Sequence, residues 1–378
     1  MENGKINMKK SYIWSLPTRV FHLLFALFIL IAFLTDDDEF LRFHAIAGYS
    51  ILILLFFRIY WGYFGPKYSL FKDFPANKNE AKEFLKNIFD DKQKYIGHNP
   101  LASYVMIAML IVTFIVIVTG ILAYGIQDGK GIASFLNDSF FKKMKLFKEI
   151  HEFFANFLIF LIVMHLVGIA FDRVFHKKYE TLNSIATGYK MTDEDESIKL
   201  SIFQKIFAIV MFIAFLAFLI FNLYKPNNAL VASKFEPIDY KTQNLAFVNE
   251  CGSCHTLYPP NLLPKKSWVL IMSDLENHFG DDASLDEDVN KNILTFLVNN
   301  SAETSTNKAS WNFLNSIGDK DIIALSKTTY WERKHKKIPK EIFKNEKVKS
   351  VANCKACHSD IEKGLIENEN IKDISDFM

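Results

Sequence analysis

Five long apolar runs dominate the first 224 residues of this 378-residue chain. They cover residues 16–35, 43–64, 101–124, 150–172 and 203–224 and are rich in Leu, Ile, Val, Phe and Ala. A helix needs about 20 such residues to cross a bilayer, and in lipid a helix satisfies its own backbone hydrogen bonds. The first run follows basic residues, as a signal peptide does, but no small-residue cleavage site follows it. The sequence therefore predicts five retained transmembrane helices.

Lysine and arginine indicate how these helices are oriented. They are concentrated in the N-terminal tail and in the connections after the second and fourth runs. Cytoplasmic connections carry such an excess, so we expect a cytoplasmic N-terminus and, after five spans, an external C-terminus. The acidic connection after the first run agrees with this orientation, whereas five lysines between Lys130 and Lys148 oppose it.

Residues 225–378 have the composition of a soluble domain, with 20 basic and 22 acidic residues. The whole chain has a formal net charge of +2. A near-neutral balance is not typical of a nucleic-acid-binding protein. We therefore expect no nucleic acid among the partners of the chain.

All four cysteines belong to two copies of one motif, CGSCH at 251–255 and CKACH at 354–358. C-x-x-C-H is the attachment motif of c-type haem. The two thiols of the motif add to the haem vinyl groups. They belong to Cys251 and Cys254 in the first copy and to Cys354 and Cys357 in the second. The following His255 and His358 are the proximal iron ligands. A zinc site would need more converging ligands, and a redox dithiol needs neither the histidine nor a second copy. Since c-type haem is attached outside the bacterial cytoplasmic membrane, this motif agrees with the predicted orientation.

Only two other histidines, His278 and His335, lie in residues 225–378. Methionine is the usual alternative ligand, but Met272 lies in an apolar stretch that is typical of a core. We therefore predict that His278 and His335 are the distal ligands. The sequence does not fix which of them serves which haem.

Four further histidines lie in or at the ends of the apolar runs: His22, His44, His151 and His165. Ionisable residues in the bilayer are costly and are functional candidates. His151 and His165 are 14 residues apart, which is about 21 Å along a helix and within about 40° of one face. His22 matches the depth of His165 on the cytoplasmic side, and His44 matches that of His151 on the periplasmic side. Two imidazoles at one depth can ligate a haem iron from both sides, so we predict two haem b groups. For His98 and His176, in the connections, we expect surface positions.

Residues 10–190 resemble the bacterial cytochrome b561 family, which includes the b-type subunits of nickel–iron hydrogenases. The resemblance is carried by WSLPTRVFH, RIYWGYFGPKYSLFKDF, GHNP, the TG pair at 119–120 and HKKYETLNSIATGYK. It implies a four-helix bundle that holds two haem b groups and exchanges electrons with membrane quinone. It also implies that His22, His44, His151 and His165 are the haem ligands.

Residues 250–365 resemble the diheme cytochrome c family. The similar segments are CGSCHTLYPPNLLPKKSW, NHFGDDASLD, YWERKHKKIP and NCKACHSDIEKG. This resemblance implies distal histidines at His278 and His335 and electron exchange with a periplasmic protein. Within this part, apolar spacing predicts helices at 266–279, 287–299 and 319–331.

The predicted architecture is all-α. It comprises a di-haem b transmembrane domain at 1–200, a fifth, anchoring helix at 201–224, and a small helix-and-loop domain with two haem c groups at 225–378. We expect a multi-pass protein of the bacterial inner membrane that carries electrons from quinol to a soluble periplasmic acceptor. Its periplasmic partner, an electron acceptor or donor, would itself be a c-type haem protein. In enzymatic terms this is a quinol:cytochrome c-type oxidoreductase. One alternative is a cytochrome b subunit that passes electrons from a larger dehydrogenase, such as a hydrogenase, into quinone. A third is a haem-based gas or redox sensor, which would need a ligand that can leave.

Overall fold

The computed structural model describes residues 8–75, 77–89, 95–175 and 180–377. They form two compact units. Unit 1 comprises Met1–Ala123 and Leu146–Val231, and unit 2 comprises Tyr124–Lys145 and Ala232–Met378. Apart from one two-stranded sheet, the regular elements of the described residues are helical, which confirms the predicted all-α class.

Five helices of the described residues are long and apolar enough to cross a membrane, as predicted. The chain is an integral membrane protein. In chain order its first elements are β1 (Lys9–Tyr12), α1 (Leu16–Leu34), α2 (Leu41–Phe64), α3 (Lys78–Lys86), α4 (Pro100–Asp128), α5 (Ser139–Met144), α6 (Leu146–Phe175), α7 (Thr181–Thr187), β2 (Tyr189–Thr192) and α8 (Ile202–Tyr224). The candidate spans are α1, α2, α4, α6 and α8.

The first and fifth spans begin at side-chain caps. Ser15 accepts a hydrogen bond from the backbone of Thr18, and Ser201 and Gln204 form a reciprocal capping box. Such caps satisfy backbone donors that have no partner within the helix. The fifth span packs on the second through the ring of Phe207, which stacks on Tyr60 with ring centroids 3.8 Å apart.

A short sheet, which the sequence analysis did not predict, closes unit 1. Strand β1 pairs antiparallel with β2, with Lys9 opposite Thr192 and Tyr12 opposite Tyr189. It joins the residues before the first span to those after the fourth. Four-residue strands carry too few side chains for a clear alternating pattern, so this pairing depends on tertiary contacts.

Unit 2 contains α9 (Tyr240–Gln243), α10 (Leu245–Cys251), α11 (Lys265–Ser273), α12 (Glu287–Asn299), α13 (Lys308–Ile317) and α14 (Thr329–His335). Fourteen buried apolar residues form its main core, among them Phe247, Ile293 and Leu297. Met272 belongs to this core, as expected.

The predicted helix at 319–331 is wrong. Helix α13 precedes this region and ends at Gly318, whose φ of 55° lies in the left-handed region, and α14 begins only at Thr329. Glycine adopts that conformation without strain and so ends helices. The apolar residues that suggested a helix beyond it, such as Ile322, pack on the core from an irregular segment.

The connection between α4 and α6 belongs to unit 2. The amide of Gly131 donates to the carbonyl of Ala232 at 2.9 Å, and that of Lys234 donates to Gly129 at 2.8 Å. The buried ammonium of Lys142 donates to the carbonyls of Gln127 and Thr306 at 2.8 and 2.6 Å. Burial lowers the pKa of Lys142 to about 8. Residues 124–145 are therefore integrated with the motif-bearing part of the chain.

Candidate haem-binding centres

Eight histidines form four facing pairs, two in each unit. The ring centroids are 6.4 Å apart for His22 and His165, and 6.0 Å for His44 and His151. They are 6.0 Å apart for His255 and His278, and 6.1 Å for His335 and His358. The structure thus brings together every histidine that the sequence analysis singled out as a ligand.

This common separation fits an iron between two rings. A metal ion lies about 2 Å from an imidazole nitrogen, whose ring centre lies about 1 Å further away, so two rings on one iron have centroids about 6 Å apart. Rings joined by a direct hydrogen bond would be about 1 Å closer. The four pairs therefore have the spacing of bis-histidine haem ligation.

The His44–His151 pair is oriented by backbone carbonyls. Nδ1 of His44 lies 2.8 Å from the carbonyl oxygen of Ala32, and Nδ1 of His151 lies 2.9 Å from that of Val116. A ring that donates from Nδ1 presents Nε2 as its ligating nitrogen, which is the usual arrangement of metal-bound histidine. In both rings Nδ1 faces a carbonyl, so Nε2 is the nitrogen that would ligate a metal ion.

Two glycines leave space at this pair. A Cβ at Gly120 would lie 2.9 Å from Cε1 of His151, so only glycine leaves the ring its place there. Gly48 lies one turn after His44 on α2, and a Cβ there would meet no atom within 4 Å. The face of α2 that carries His44 therefore has room for a flat group. Gly120 also explains the TG pair that the sequence analysis noted.

Two arginines of unit 1 are held by backbone carbonyls. Arg19 lies one turn before His22 on α1, and its Nη1 donates to the carbonyl of Ala186. Arg58 is 6% exposed, and its Nη1 donates to the carbonyl of Ser69 at 3.2 Å. A buried guanidinium such as that of Arg58 suits an anionic group.

The expected surface position of His98 is wrong. Its ring lies 5.0 Å from that of Trp14 and 4.7 Å from that of Phe74, and its Nδ1 is shielded from solvent without a hydrogen-bond partner. Burial, with smaller effects of the charges of Arg58 and Lys190, lowers the pKa of His98 to about 3. His176 lies outside the described residues. The short polar connection that carries His98 gives no signal that Trp14 and Phe74 cover its ring.

The two C-x-x-C-H motifs each face one of the remaining histidines. His255 of the first motif is paired with His278, which follows α11, and His358 of the second is paired with His335 at the end of α14. Nδ1 of His335 lies 2.9 Å from the carbonyl of Trp331, and that of His255 lies 2.7 Å from the carbonyl of Thr256. The structure thus pairs each distal candidate with one motif, which the sequence left open.

Residues just after the first motif contact the second motif. The hydroxyl of Tyr258 donates to the carbonyl of Ala352 and lies 3.8 Å from Sγ of Cys354. The amide of Leu257 donates to the carboxylate of Glu362 at 3.1 Å. Burial, with the nearby Cys354, raises the pKa of Tyr258, which keeps the phenol protonated as a donor. The two motifs are therefore neighbours in unit 2.

The thiols of the motifs are unpaired. Cys251, Cys354 and Cys357 are partly exposed and Cys254 is exposed. Burial raises the pKa of Cys251 to about 11, so its thiol is protonated at neutral pH. Free thiols of this kind are available for addition to haem vinyl groups.

Comparison with known proteins finds two family matches. Residues 13–188 match the model of the prokaryotic cytochrome b561 family, and residues 247–366 match that of the dihaem cytochrome c family. Both agree with the resemblances drawn from the sequence.

One curated relative is a probable Ni/Fe-hydrogenase B-type cytochrome subunit of Rhodobacter capsulatus. It is 31% identical over 150 residues, which cover 32% of this chain and 57% of that protein. The chain therefore spans little more than half the length of this relative.

Two solved structures are similar to the C-terminal part. A diheme cytochrome c of Shewanella baltica is 36% identical, with 34% of this chain and 92% of that chain covered and a TM-score of 0.28. A diheme cytochrome c of Rhodobacter sphaeroides is 35% identical, with 34% and 99% covered and a TM-score of 0.30.

Proposed function

We propose that this membrane electron-transfer cytochrome carries electrons from quinol to a soluble periplasmic acceptor. The premise is that residues 13–188 belong to the prokaryotic cytochrome b561 family and residues 247–366 to the dihaem cytochrome c family. The two families imply haem b and haem c. Four haems per chain, two of each type, complete the proposal. The observation that carries it is the set of four histidine pairs with ring centroids 6.0–6.4 Å apart.

We assign the eight histidines as axial ligands of four centres. Haem b is held by His22 and His165, and by His44 and His151. One haem c is attached through Cys251 and Cys254 and ligated by His255 and His278. The second haem c is attached through Cys354 and Cys357 and ligated by His358 and His335. The support is the ring spacing together with the Nδ1 contacts that direct Nε2 toward the partner ring.

Bis-histidine ligation suits electron transfer. A haem iron exchanges single electrons, and two histidines leave it no open coordination position. Oxygen activation or substrate binding at the iron would need such a position, and so would a gas sensor. The protein contributes by fixing the rings, shielding the sites and adjusting their potentials through charge and burial.

We place the C-terminal unit in the periplasm and the N-terminus in the cytoplasm, in a bacterial inner membrane. The five lysines after the third span opposed this orientation. Two of them have partners within unit 2, since Lys142 donates to backbone carbonyls and Lys130 lies 2.5 Å from Glu367. Their contacts within unit 2 support counting these lysines with the C-terminal domain, because the charge rule applies to short loops and domains translocate largely regardless of charge.

A second candidate function is that of a cytochrome b subunit that passes electrons from a hydrogenase or another dehydrogenase into quinone. The similarity to the probable hydrogenase cytochrome subunit favours it. The second haem-bearing part of the chain gives it a redox outlet of its own, which such a subunit does not need. Co-purification with an iron–sulfur or nickel protein would favour this candidate.

The experiment uses the full-length protein in liposomes, with a menaquinol or ubiquinol analogue as reductant. We expect reduction of both haem types, and a haemochrome assay should give equal amounts of haem b and haem c. In the His44→Ala variant, quinol should no longer reduce haem c, whereas dithionite still should. A wild-type protein whose haems neither quinol reduces would contradict the proposal.

A further inference from the structure

The charges of unit 2 are unevenly distributed between its two centres. Residues 331–358, which contain His335 and His358, carry nine basic residues against three acidic ones. All nine are exposed, and we call them the basic collar. They are Arg333, Lys334, Lys336, Lys337, Lys340, Lys344, Lys347, Lys349 and Lys355.

The other centre has the opposite surroundings. Residues 274–288, which contain His278, carry seven exposed acidic residues and no basic one. They are Asp274, Glu276, Asp281, Asp282, Asp286, Glu287 and Asp288. The near balance of residues 225–378 therefore conceals an acidic segment at one centre and the basic collar at the other. Residues 359–378, which pack on the same cluster as the collar, add six acidic and two basic residues.

A small apolar cluster holds the collar against the second motif. Ile342 and Val348 are buried in it, with Ile338 packed alongside, and the same cluster includes Ala356 and Cys357. The lysines between these apolar positions therefore project from a segment that is packed on the motif itself. Charged groups fixed near a redox centre act on partners that approach that centre.

Most of the collar charge is uncompensated. Lys355 forms an ion pair with Glu362 at 3.2 Å, and Lys347 donates to the backbone of Asp376. Lys336, Lys337, Lys340, Lys344 and Lys349 form no ion pair with any carboxylate among the described residues. Their summed field steers molecules of opposite charge and can raise association rates by on the order of tenfold to a thousandfold at low salt.

Two exposed apolar residues lie beside the same centre. Val351 is 44% exposed, and Ile371, which bridges to the backbone of His358, is 42% exposed. A small apolar contact with a charged rim is the composition of a transient protein interface. A lipid surface would not need contacts placed at the redox centre.

We propose that the basic collar is the docking surface for an acidic soluble electron-transfer protein, and that the His335–His358 centre is the outlet of the chain. This rests on the proposed function, in which electrons leave the C-terminal unit for a soluble protein. Charge also favours this direction, because nearby positive charge stabilises the reduced state of a centre and nearby negative charge stabilises the oxidised state. Electrons then move from the acidic His255–His278 centre to the basic His335–His358 centre.

The test measures electron transfer from the full-length protein to a probe of chosen charge. The probes are mitochondrial-type cytochrome c, which is basic, and its succinylated form, whose modified lysines make it acidic. The protein is reduced with dithionite before mixing, so that the result does not depend on quinol. Rates are followed by stopped flow at ionic strengths of about 0.01 M and about 1 M, where the screening length falls from about 30 Å to about 3 Å.

Two charge-reversal variants are compared. One carries Lys336→Glu, Lys337→Glu and Lys340→Glu in the collar. The control carries Lys241→Glu, Lys265→Glu and Lys320→Glu, which change the net charge equally at exposed positions outside it. At low salt we expect the collar variant to lose on the order of tenfold in rate to the acidic probe, and the control less than about twofold. At high salt all three proteins should converge.

A second measurement does not involve the probe. In the collar variant, redox titration should show a lower midpoint potential for one haem c and little change in the other three haems. Equal rates for the two probes, or equal losses in the two variants, would overturn the proposal. Two further results would overturn it. If the wild type self-associates and the collar variant does not, a second copy of the chain is the occupant. If the wild type binds anionic vesicles and the collar variant does not, a lipid surface is the occupant. Failure of quinol to reduce the haems would contradict the proposed function. It would not affect this test, because dithionite is the reductant.

Discussion

Replacing one histidine of a membrane pair should remove one haem b and no other haem. The structure places His22 with His165 and His44 with His151, and no histidine is shared between the two pairs. In the His44→Ala variant, His151 keeps its contact with Val116 but has no ring on the opposite side. A five-coordinate haem at this site would be bound more weakly, because half of its axial ligation is lost.

The magnitude follows from the pairing. The wild type should give two haem b and two haem c per chain in a pyridine haemochrome assay. His44→Ala and His22→Ala should each give half the haem b absorbance with unchanged haem c, and the double variant should give haem c alone. Haem c is unaffected because its attachment is covalent and lies in the other unit.

The matched control is His98→Ala. His98 is also partly buried in unit 1, but its ring contacts those of Trp14 and Phe74 and belongs to none of the four facing histidine pairs. This variant should keep both haem b groups. Loss of both haem b groups in a correctly inserted single variant, or loss of one in His98→Ala, would refute the pairing.

Three further predictions follow from individual contacts. The His278→Ala variant should bind one carbon monoxide per chain in the reduced state, because it opens one c-type centre, whereas the wild type should bind none; difference spectra test this. Burial lowers the pKa of Lys142 from 10.5 to about 8. Between these two pH values the unfolded chain binds a proton that the folded chain lacks. The free energy of unfolding should therefore rise with pH in this range, by up to about 3 kcal/mol. Thermal unfolding followed by tryptophan fluorescence measures this rise, and a slope that persists in Lys142→Met would assign it to another group. Gly120→Ala should displace the ring of His151, because the added Cβ would lie 2.9 Å from Cε1; the electron paramagnetic resonance signal of one haem b should shift, and an unchanged spectrum would contradict this placement of the ring.

Several features could be predicted without the structure because each is a local pattern. Apolar runs of sufficient length specify transmembrane helices, since the bilayer requires internally satisfied backbone. The five predicted spans agree with the five long apolar helices of the described residues. The C-x-x-C-H motif is similarly local, because the two thiols and the ligand lie on one short segment.

Features that depend on distant residues were predicted less well. The two-stranded sheet joins residues 177 to 183 positions apart, and its strands are too short to show a pattern. The sequence analysis placed a helix at 319–331 because apolar residues continue past Gly318. In the structure the helix lies at 308–317 and ends at that glycine, and the apolar residues beyond it pack on the core from irregular backbone. His98 was misplaced because nothing in its own segment indicates that Trp14 and Phe74 cover it.

The sequence by itself determined the types of side chain that can hold iron: eight histidines and four cysteines, half of the histidines in apolar runs and half in a polar domain. Helical periodicity extended this to depth and face, because His151 and His165 lie on one helix. Only the tertiary structure decided that His278 faces His255 and His335 faces His358. The physical reason is that the proximal ligand is fixed by its own motif, whereas the distal ligand arrives through the packing of a separate segment. The same packing places the lysines of residues 333–349 against one motif, and so it gathers basic side chains at one centre of a domain whose composition is balanced.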